Sequence, residues 1–187
     1  MSTQEAKYAL RPMTVGDLPT VLEWRNQEHI RHAMYTDHLI SADEHAAWFD
    51  RVSADPGNRQ FIFDVEGRPV GVVSFSDIDT VNRRARWGFY LGVSDVPPRT
   101  GSRMTFHAVA YAFEVLHLHK LAADTFSFNG RARGLFNKFG FVEEGVLRQQ
   151  FLKDGAFEDV VVLGMLASEW AEHRDAMRGK LFGRNGE

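Results

Sequence analysis

The sequence predicts an α/β domain built on a mixed sheet of about seven strands with helices inserted between them. Short β-branched and aromatic runs alternate with amphipathic helical segments, and two adjacent runs have the form of a hairpin. The 187 residues include 44% apolar residues and 15 Phe, which suffices for one core. We therefore expect a single domain over 1–187, with a core of about 8–166 and a helical tail over 168–187.

The first half of the chain predicts a strand, two helical regions and a hairpin. Thr14 with Asp17 and Ser41 with Glu44 are typical helix-capping patterns. A short turn over 66–68 separates two runs rich in β-branched and aromatic residues, which indicates antiparallel strands. The predicted elements are a strand over 8–13, a helix over 16–26, a helix from 41 to about 55, and strands over 60–65 and 69–78.

The second half predicts strands alternating with helices. Gly88 and Gly92 lie within one predicted strand, where glycine often marks the close approach of another backbone. The helix that follows the turn at 96–101 has apolar residues on most sides, so we expect it to be buried. The predicted elements are a strand over 85–93, the buried helix up to 116, a strand over 121–128, a helix over 132–139, strands over 141–150 and 157–165, and a helix from 168.

Composition excludes several classes of function. The 22 basic and 25 acidic residues are well mixed, so no nucleic-acid-binding surface is indicated. The chain has no Cys, and His117 and His119 lack the helical spacing of metal ligands, so we expect no metal. No run approaches the ~18 apolar residues of a membrane span, and 1–7 is polar, so we expect a cytoplasmic protein with small-molecule partners.

The start of the buried helix has the features of an anion site. A helix N-terminus presents unpaired N–H groups and the positive end of the helix dipole. Thr100, Gly101, Ser102 and Arg103 would supply those donors, and the side chains of Arg99 and Arg103 would add positive charge. The alternative, an ordinary β–α connection, remains open from these residues alone.

Two segments together resemble the GNAT superfamily of acetyltransferases, over about 8–166. Of its pyrophosphate loop, Q/R-x-x-G-x-G/A, Gly101 is retained, whereas Val96 and Arg99 replace the first two defined positions. The family segment N-x-x-A-x-x-L-Y-x-K-x-G-F is matched more fully. Its matching residues here are Asn129, Ala132, Leu135, Lys138, Gly140 and Phe141.

This resemblance implies a mostly antiparallel sheet whose fourth and fifth strands part, with acetyl-CoA as co-substrate. The gap would separate 89–93 from 123–128, pantetheine would pair with the fourth strand, and the Leu91 N–H would be the oxyanion donor. The residues implied to hold acetyl-CoA are Leu91, Gly92, Val93, Arg99, Thr100, Gly101, Ser102, Arg103, Met104, Asn129, Phe136 and Lys138.

The general acid is less well defined by the resemblance. Many relatives use the Tyr of L-Y-x-K, whereas this chain has Phe136, which has no proton to donate. The remaining candidates for protonating the leaving thiolate are Tyr90, Ser127 and a water molecule.

The N-terminal third resembles the N-acetyltransferases of pseudaminic acid biosynthesis. The resemblance lies in Trp24-Arg25-Asn26, Ile30, Met34, Ile40 and Glu44-His45. It implies transfer of acetyl to the 4-amino group of a UDP-linked amino sugar. It also places Arg25, His45, Thr80 and Tyr90 in the nucleotide site. Arg25 in a surface ion pair and His45 as an ordinary helix-face residue are the structural alternatives.

Two other functions remain open. The segment 141–148 and Asp159 are shared with RimJ/RimL-like acetyltransferases of protein N-termini, whose acceptor is a peptide. The replacements at Val96, Arg99 and Phe136 favour a domain that binds CoA or a sugar nucleotide without turnover. A homodimer is expected because such enzymes are commonly dimeric.

Overall fold

The computed structural model describes residues 3–183, which form one seven-stranded sheet with helices. The strands are β1 (Tyr8–Pro12), β2 (Arg59–Val65), β3 (Arg68–Asp79), β4 (Arg84–Leu91), β5 (Lys120–Phe126), β6 (Val142–Lys153) and β7 (Ala156–Leu166). Their order across the sheet is β1-β2-β3-β4-β5-β7-β6, and every neighbouring pair is antiparallel except β4 with β5. The predicted mixed, mostly antiparallel sheet is confirmed.

The helices follow the predicted order with two differences. They are α1 (Leu18–Arg25), α2 (Glu28–His32), α3 (Ala42–Ala54), α4 (Thr100–Ala110), α5 (Gly130–Phe139) and α6 (Ala167–Phe182). The short α2 was not predicted, because five largely polar residues carry no periodic signal. The helix predicted to reach 116 changes to a π-helical turn over Tyr111–Val115. The last four residues of the predicted tail lie outside the described residues.

The predicted capping residues are found at both helical regions of the N-terminal half. The Ser41 hydroxyl accepts a hydrogen bond from the Glu44 N–H at 3.2 Å, and α3 begins directly after Ser41. The Asp17 carboxylate accepts from the Thr14 N–H at 2.8 Å, and a short 3₁₀ turn precedes α1. These bonds satisfy backbone donors that a helix start otherwise leaves open.

Apolar residues cover both faces of the sheet. One cluster joins the sheet to α4, α5 and α6, with Phe63, Met104 and Trp170 among its buried members. A second cluster on the opposite face joins β2 and β3 to α1 and α3, and it includes Trp24 and Phe49. Each such side chain contributes about 1.5–3 kcal/mol when fully buried. None of the helices formed by residues 3–183 has the length and apolarity needed to span a bilayer.

Candidate active site

The strands β4 and β5 pair for only three residues and then part. Their register joins Arg84 to Lys120 and ends at Arg86 opposite Ala122. Beyond that point β4 stays paired with β3 as far as Leu91, and β5 stays paired with β7 as far as Phe126. The predicted parting of the two central strands is therefore confirmed. It leaves a gap lined by backbone groups that have no strand partner.

Leu91 presents its backbone N–H to this gap. The N–H of the next residue, Gly92, donates to the Val70 oxygen at 2.9 Å on the β3 side. Because N–H groups of successive strand residues point to opposite sides, the Leu91 N–H points toward the missing β5 partner. This is the donor position predicted for an oxyanion. A Cβ added at Gly92 would lie 1.9 Å from the Trp24 ring, so only glycine fits there.

The start of α4 has two open backbone donors beside a cation. The N–H groups of Thr100 and Arg103 donate to the oxygens of Pro97 and Arg99, whereas those of Gly101 and Ser102 have no partner among residues 3–183. Lys138 of α5 donates from Nζ to the Ser102 hydroxyl at 3.0 Å. Two open amides, a lysine and a helix dipole suit an anionic group such as a diphosphate.

The structure corrects the predicted use of the Arg103 side chain. Its guanidinium is buried, donates to the oxygens of Pro98 at 2.7 Å and Leu181 at 3.2 Å, and lies 4.9 Å from the centre of the Tyr8 ring. Arg99 is directed the same way and donates to the Lys180 oxygen at 3.4 Å. Both arginines therefore bind carbonyls at the end of α6. The charge near Ser102 comes from Lys138 instead.

Several other predicted CoA residues have structural partners. Met104 is fully buried in the core, so its side chain contacts no ligand at the surface. The Asn129 side chain caps α5 by accepting from the Ala132 N–H at 3.1 Å. Phe136 is 3% exposed and packs against Trp87, Phe89 and Phe141, with ring centres 5.2–5.9 Å away. Val93 is half-buried and packs against both core clusters.

A pocket of about 470 Å³ lies on the α1 and α3 side of the sheet, next to the gap. We call it the acceptor pocket. It brings together three of the four residues predicted to bind the nucleotide, which are Arg25, His45 and Tyr90. The fourth, Thr80, lies in an exposed turn after β3 and is not in its lining. Lining residues also include Met34, Thr36, Ile40, Glu44, Trp48, Arg51, Gln60, Val72, Ser74 and Gly88.

Arg25 has a free donor in this pocket. Its Nη2 donates to the Thr36 oxygen at 3.0 Å, but its Nη1 is buried without a hydrogen-bond partner among the described residues. Burial lowers the pKa of the guanidinium, and the nearby charge of Arg31 acts in the same direction. No carboxylate forms an ion pair with Arg25 in the part of the chain that the structure describes. An unpaired donor of this kind favours an anionic ligand.

His45 and Tyr90 have pKa values shifted by burial. Burial, and then the charge of Arg25, lowers the pKa of His45, so its ring is neutral at pH 7. The ring stacks on Trp48, with centres 5.1 Å apart and planes at 16°. Burial raises the pKa of Tyr90, which keeps the phenol protonated.

The predicted candidate Ser127 lies directly after β5. Its N–H donates to the Asp159 oxygen at 2.9 Å, and its own oxygen accepts from Arg133 at 3.4 Å. These bonds fix the backbone at the far end of the gap. The structure does not bring Ser127 into the acceptor pocket.

Sequence reasoning missed two polar residues on the pocket floor. Gln60 of β2 and Ser74 of β3 are direct cross-strand partners, and Ser74 is opposite Gly88 of β4. The Gln60 Oε1 is buried without a partner among residues 3–183. Little signal for either residue was present in the sequence, because Asn58 precedes Gln60 and Ser76 follows Ser74 at the same alternating positions, so neither is a lone polar residue in an apolar run.

Comparison with known proteins agrees with this geometry. Residues 8–142 match the acetyltransferase (GNAT) domain family. The spermidine N(1)-acetyltransferase of Vibrio cholerae is 25% identical over 166 residues, which are 88% of this chain and 96% of that protein. The crystal structure of that enzyme in complex with CoA and spermine has a TM-score of 0.82 at 26% identity, covering 89% of this chain and 99% of that one.

A second kind of acceptor is found among the relatives. The ribosomal protein uS5-alanine N-acetyltransferase of Escherichia coli is 28% identical over 118 residues, 60% of this chain and 59% of that protein. The family match spans well over half of the chain, and the parted strands supply its characteristic cleft. The chain therefore belongs to the GNAT acetyltransferase family and is an acetyl-CoA-dependent N-acetyltransferase.

Proposed function

We propose that the chain transfers acetyl from acetyl-CoA to the 4-amino group of a UDP-linked amino sugar of the pseudaminic acid type. The observation that carries this proposal is the buried, unpartnered Nη1 of Arg25 in the acceptor pocket. Leaving such a donor unsatisfied costs about 1–3 kcal/mol, so a ligand that supplies an acceptor regains that energy on binding. A diphosphate supplies charged oxygen acceptors and pairs well with a planar guanidinium.

The rest of the pocket suits the nucleoside and sugar. The stacked rings of His45 and Trp48 give a flat aromatic surface for a pyrimidine base. Gln60 and Ser74 on the floor offer polar groups for sugar hydroxyl and amide substituents. The lining thus combines one charged anchor, an aromatic wall and a polar floor, as expected for a nucleotide sugar.

The two sides of β4 connect this pocket to the acetyl group. The Tyr90 side chain lines the acceptor pocket, and the N–H of the adjacent Leu91 faces the gap. An amine bound in the pocket would thus attack a thioester held along β4, with the Leu91 N–H donating to the oxyanion. We assign to Tyr90 the proton that the leaving thiolate needs, because its side chain lines the pocket next to Leu91 and a phenol is protonated at neutral pH; the proton that the attacking amine loses passes to water.

Acetylation of a polyamine is the second candidate, favoured by the similarity to spermidine acetyltransferases. The charges of the pocket favour it less. Its lining contains Arg25 and Arg51, and the carboxylate of its acidic residue, Glu44, is already bound by His38 at 2.9 Å. A polycation would therefore meet two like charges and one carboxylate that already accepts a hydrogen bond.

A panel of acceptors tests the proposal. CoA release from acetyl-CoA would be measured with a UDP-4-amino sugar, with spermidine, with an N-terminal alanine peptide and without acceptor. We expect turnover with the sugar nucleotide. Turnover with spermidine or peptide alone would replace the proposed acceptor, and acetyl-CoA binding without turnover in any arm would favour a non-catalytic domain.

Arg25→Lys tests the anchor itself. Lysine keeps the charge but loses the planar pair of donors, so the KM of the sugar nucleotide should rise by about tenfold or more while that of acetyl-CoA is unchanged. Arg59→Lys, at the exposed start of β2, is the matched control. An unchanged KM in the Arg25 variant would contradict the assignment.

The expected homodimer stays part of the proposal, and light scattering measures it.

A further inference from the structure

One wall of the acceptor pocket is an irregular segment. Residues 33–40 connect α2 to α3 and supply Met34, Thr36 and Ile40 to the lining. Residues 35–39 are exposed, so hydrophobic burial of the segment as a whole does not fix its position. Specific bonds from neighbouring elements must therefore hold this wall.

A buried lysine from the other half of the sheet supplies one of these bonds and a second bond to the end of α2. Lys153, the last residue of β6, is 4% exposed. Its Nζ donates to the Met34 oxygen at 3.1 Å and the Arg31 oxygen at 3.3 Å, and lies 5.6 Å from the centre of the Phe126 ring. Among residues 3–183, no carboxylate forms an ion pair with it. A buried ammonium is costly, so its energy is compensated by these carbonyls and the ring.

Tyr35 attaches the same segment to the sheet at a second point. Its ring stacks on Phe151 of β6, with centres 4.1 Å apart and planes at 8°, and meets the edge of Phe126 at 5.3 Å. Its hydroxyl donates to the Asp124 carboxylate of β5 at 3.3 Å. Asp124 also pairs with Arg86 of β4. The segment is thereby tied to the strands on the far side of the gap.

The held segment in turn positions Arg25. The Thr36 oxygen, two residues after Met34, accepts from Arg25 Nη2 at 3.0 Å. A continuous series of bonds thus leads from Lys153 through the backbone of 34–36 to the guanidinium whose other nitrogen is free in the pocket. Displacing Met34 would move the carbonyl that orients Arg25.

We propose that Lys153 is a positioning residue for the acceptor: it sets acceptor affinity through the 33–40 segment without touching acceptor or acetyl-CoA. This inference rests on the proposed use of the acceptor pocket, but not on the identity of the amine. It assigns control of acceptor binding to the β6–β7 hairpin, which lies across the strand gap from the pocket floor.

The test compares Lys153→Met, which keeps the length of the side chain, with Lys153→Arg, which keeps the charge. The acceptor is whichever amine the wild-type enzyme acetylates in the panel above. For Lys153→Met we expect the acceptor KM to rise about tenfold, as loss of a charged hydrogen bond predicts. The KM of acetyl-CoA, and its Kd by calorimetry, should change less than about twofold. Lys153→Arg should recover most of the acceptor affinity.

Two further variants separate this role from general damage. Lys120→Met removes an ion pair with Glu144 at the start of β5, away from the pocket, and should leave both KM values unchanged. Tyr35→Leu removes the second attachment and should raise the acceptor KM alone, even if Lys153→Met does not fold. Equal changes in both KM values, or no change in the acceptor KM of either variant, would overturn the inference. Failure of the sugar nucleotide as acceptor would overturn only the proposed function.

Discussion

Tyr90 has the position that a proton donor needs at this site. It lies on β4 beside the open Leu91 N–H, and burial raises the pKa of its phenol. Tyr90→Phe should lower kcat by about a hundredfold, the usual contribution of a positioned acid, with the KM of acetyl-CoA unchanged. Wild-type kcat should also stay constant up to pH ~10, where an ordinary tyrosine loses its proton, because the pKa of Tyr90 is raised. Steady-state rates across pH measure both effects.

Tyr111→Phe is the control for this prediction. Tyr111 packs between Phe61 and Phe75, and it does not line the acceptor pocket. A kcat for Tyr90→Phe equal to that of the control would leave Ser127 or water as the acid. Phe136 offers no alternative donor, since its ring has no proton to donate and is enclosed by other aromatic rings.

Site residues could be predicted where matching positions of relatives line the same site. They could not be predicted where a side chain binds a segment distant in the sequence. Resemblance to relatives predicted Arg25, His45 and Tyr90, and the fold brings these together from α1, α3 and β4. The charge predicted for Arg103 at the helix start was misread, because one of its two carbonyl partners is Leu181 of α6, 78 residues away in sequence. No local pattern encodes a contact of that separation. Thr80 lies outside the pocket because it is in the exposed turn that follows β3.

At the scale of elements, α1 packs closely against Gly92, the residue that follows β4. The Trp24 ring occupies the space that any side chain at 92 would need, and Gly92 also accepts from Gln27 at 3.1 Å. Gly92→Ala should therefore destabilise the fold by about 1–3 kcal/mol, because Trp24 must move within a packed core. Thermal unfolding measures this loss of stability. The KM of the acceptor should also rise, because a shift of Trp24 moves the next residue, Arg25.

Gly134→Ala gives the matched control on α5. A Cβ at that position meets nothing within 4 Å, and the residue is inside a helix. It should stabilise the protein by roughly 0.5–1 kcal/mol. Equal effects of the two substitutions would contradict the close fit of Trp24 against Gly92.

Long elements were predictable from sequence, and the interruptions between them were not. The helices α3, α4 and α5 have periodic apolar residues that pack in the two core clusters, and the strands β2, β3 and β7 have apolar runs that are buried there. The π turn after Ala110 changes hydrogen bonding without changing the apolar character of the helix, so periodicity does not reveal it. The predicted strand over 141–150 extends to Lys153, because β6 is bulged between Leu147 and Phe151 and resumes pairing.

At the scale of the molecule, the single parallel pair of the sheet creates the site. β4 and β5 are joined for three residues and are each held by an antiparallel neighbour on the other side. Separating β4 from β5 therefore loses strand-to-strand hydrogen bonds only along the gap. The β3–β4 and β6–β7 hairpins keep the two strands in place. The gap connects the α4 side, where the open amides of Gly101 and Ser102 lie, with the acceptor pocket on the opposite face.

Stability of the whole fold should depend on pH through Asp17. The side chains of Arg11 and the Thr14 N–H hold its carboxylate and lower its pKa from 3.8 to about 2. A pKa lowered on folding stabilises the native state above the unfolded value, so this contribution is complete above pH ~4 and is lost between pH ~4 and ~2. It is worth about 1–2 kcal/mol, given that Arg11 is partly exposed.

Asp17→Asn tests this dependence by urea unfolding at several pH values. The variant should be less stable than wild type by that amount at pH 7, and the two should converge as the pH falls through 2, where the native wild-type carboxyl takes up its proton. Asp95→Asn, a fully exposed carboxylate 3.5 Å from Arg68, should differ from wild type by less than about 0.5 kcal/mol throughout. A stability gap for Asp17→Asn that stays constant from pH 7 to pH 2 would show that shape, and not charge, links β1 to the start of α1.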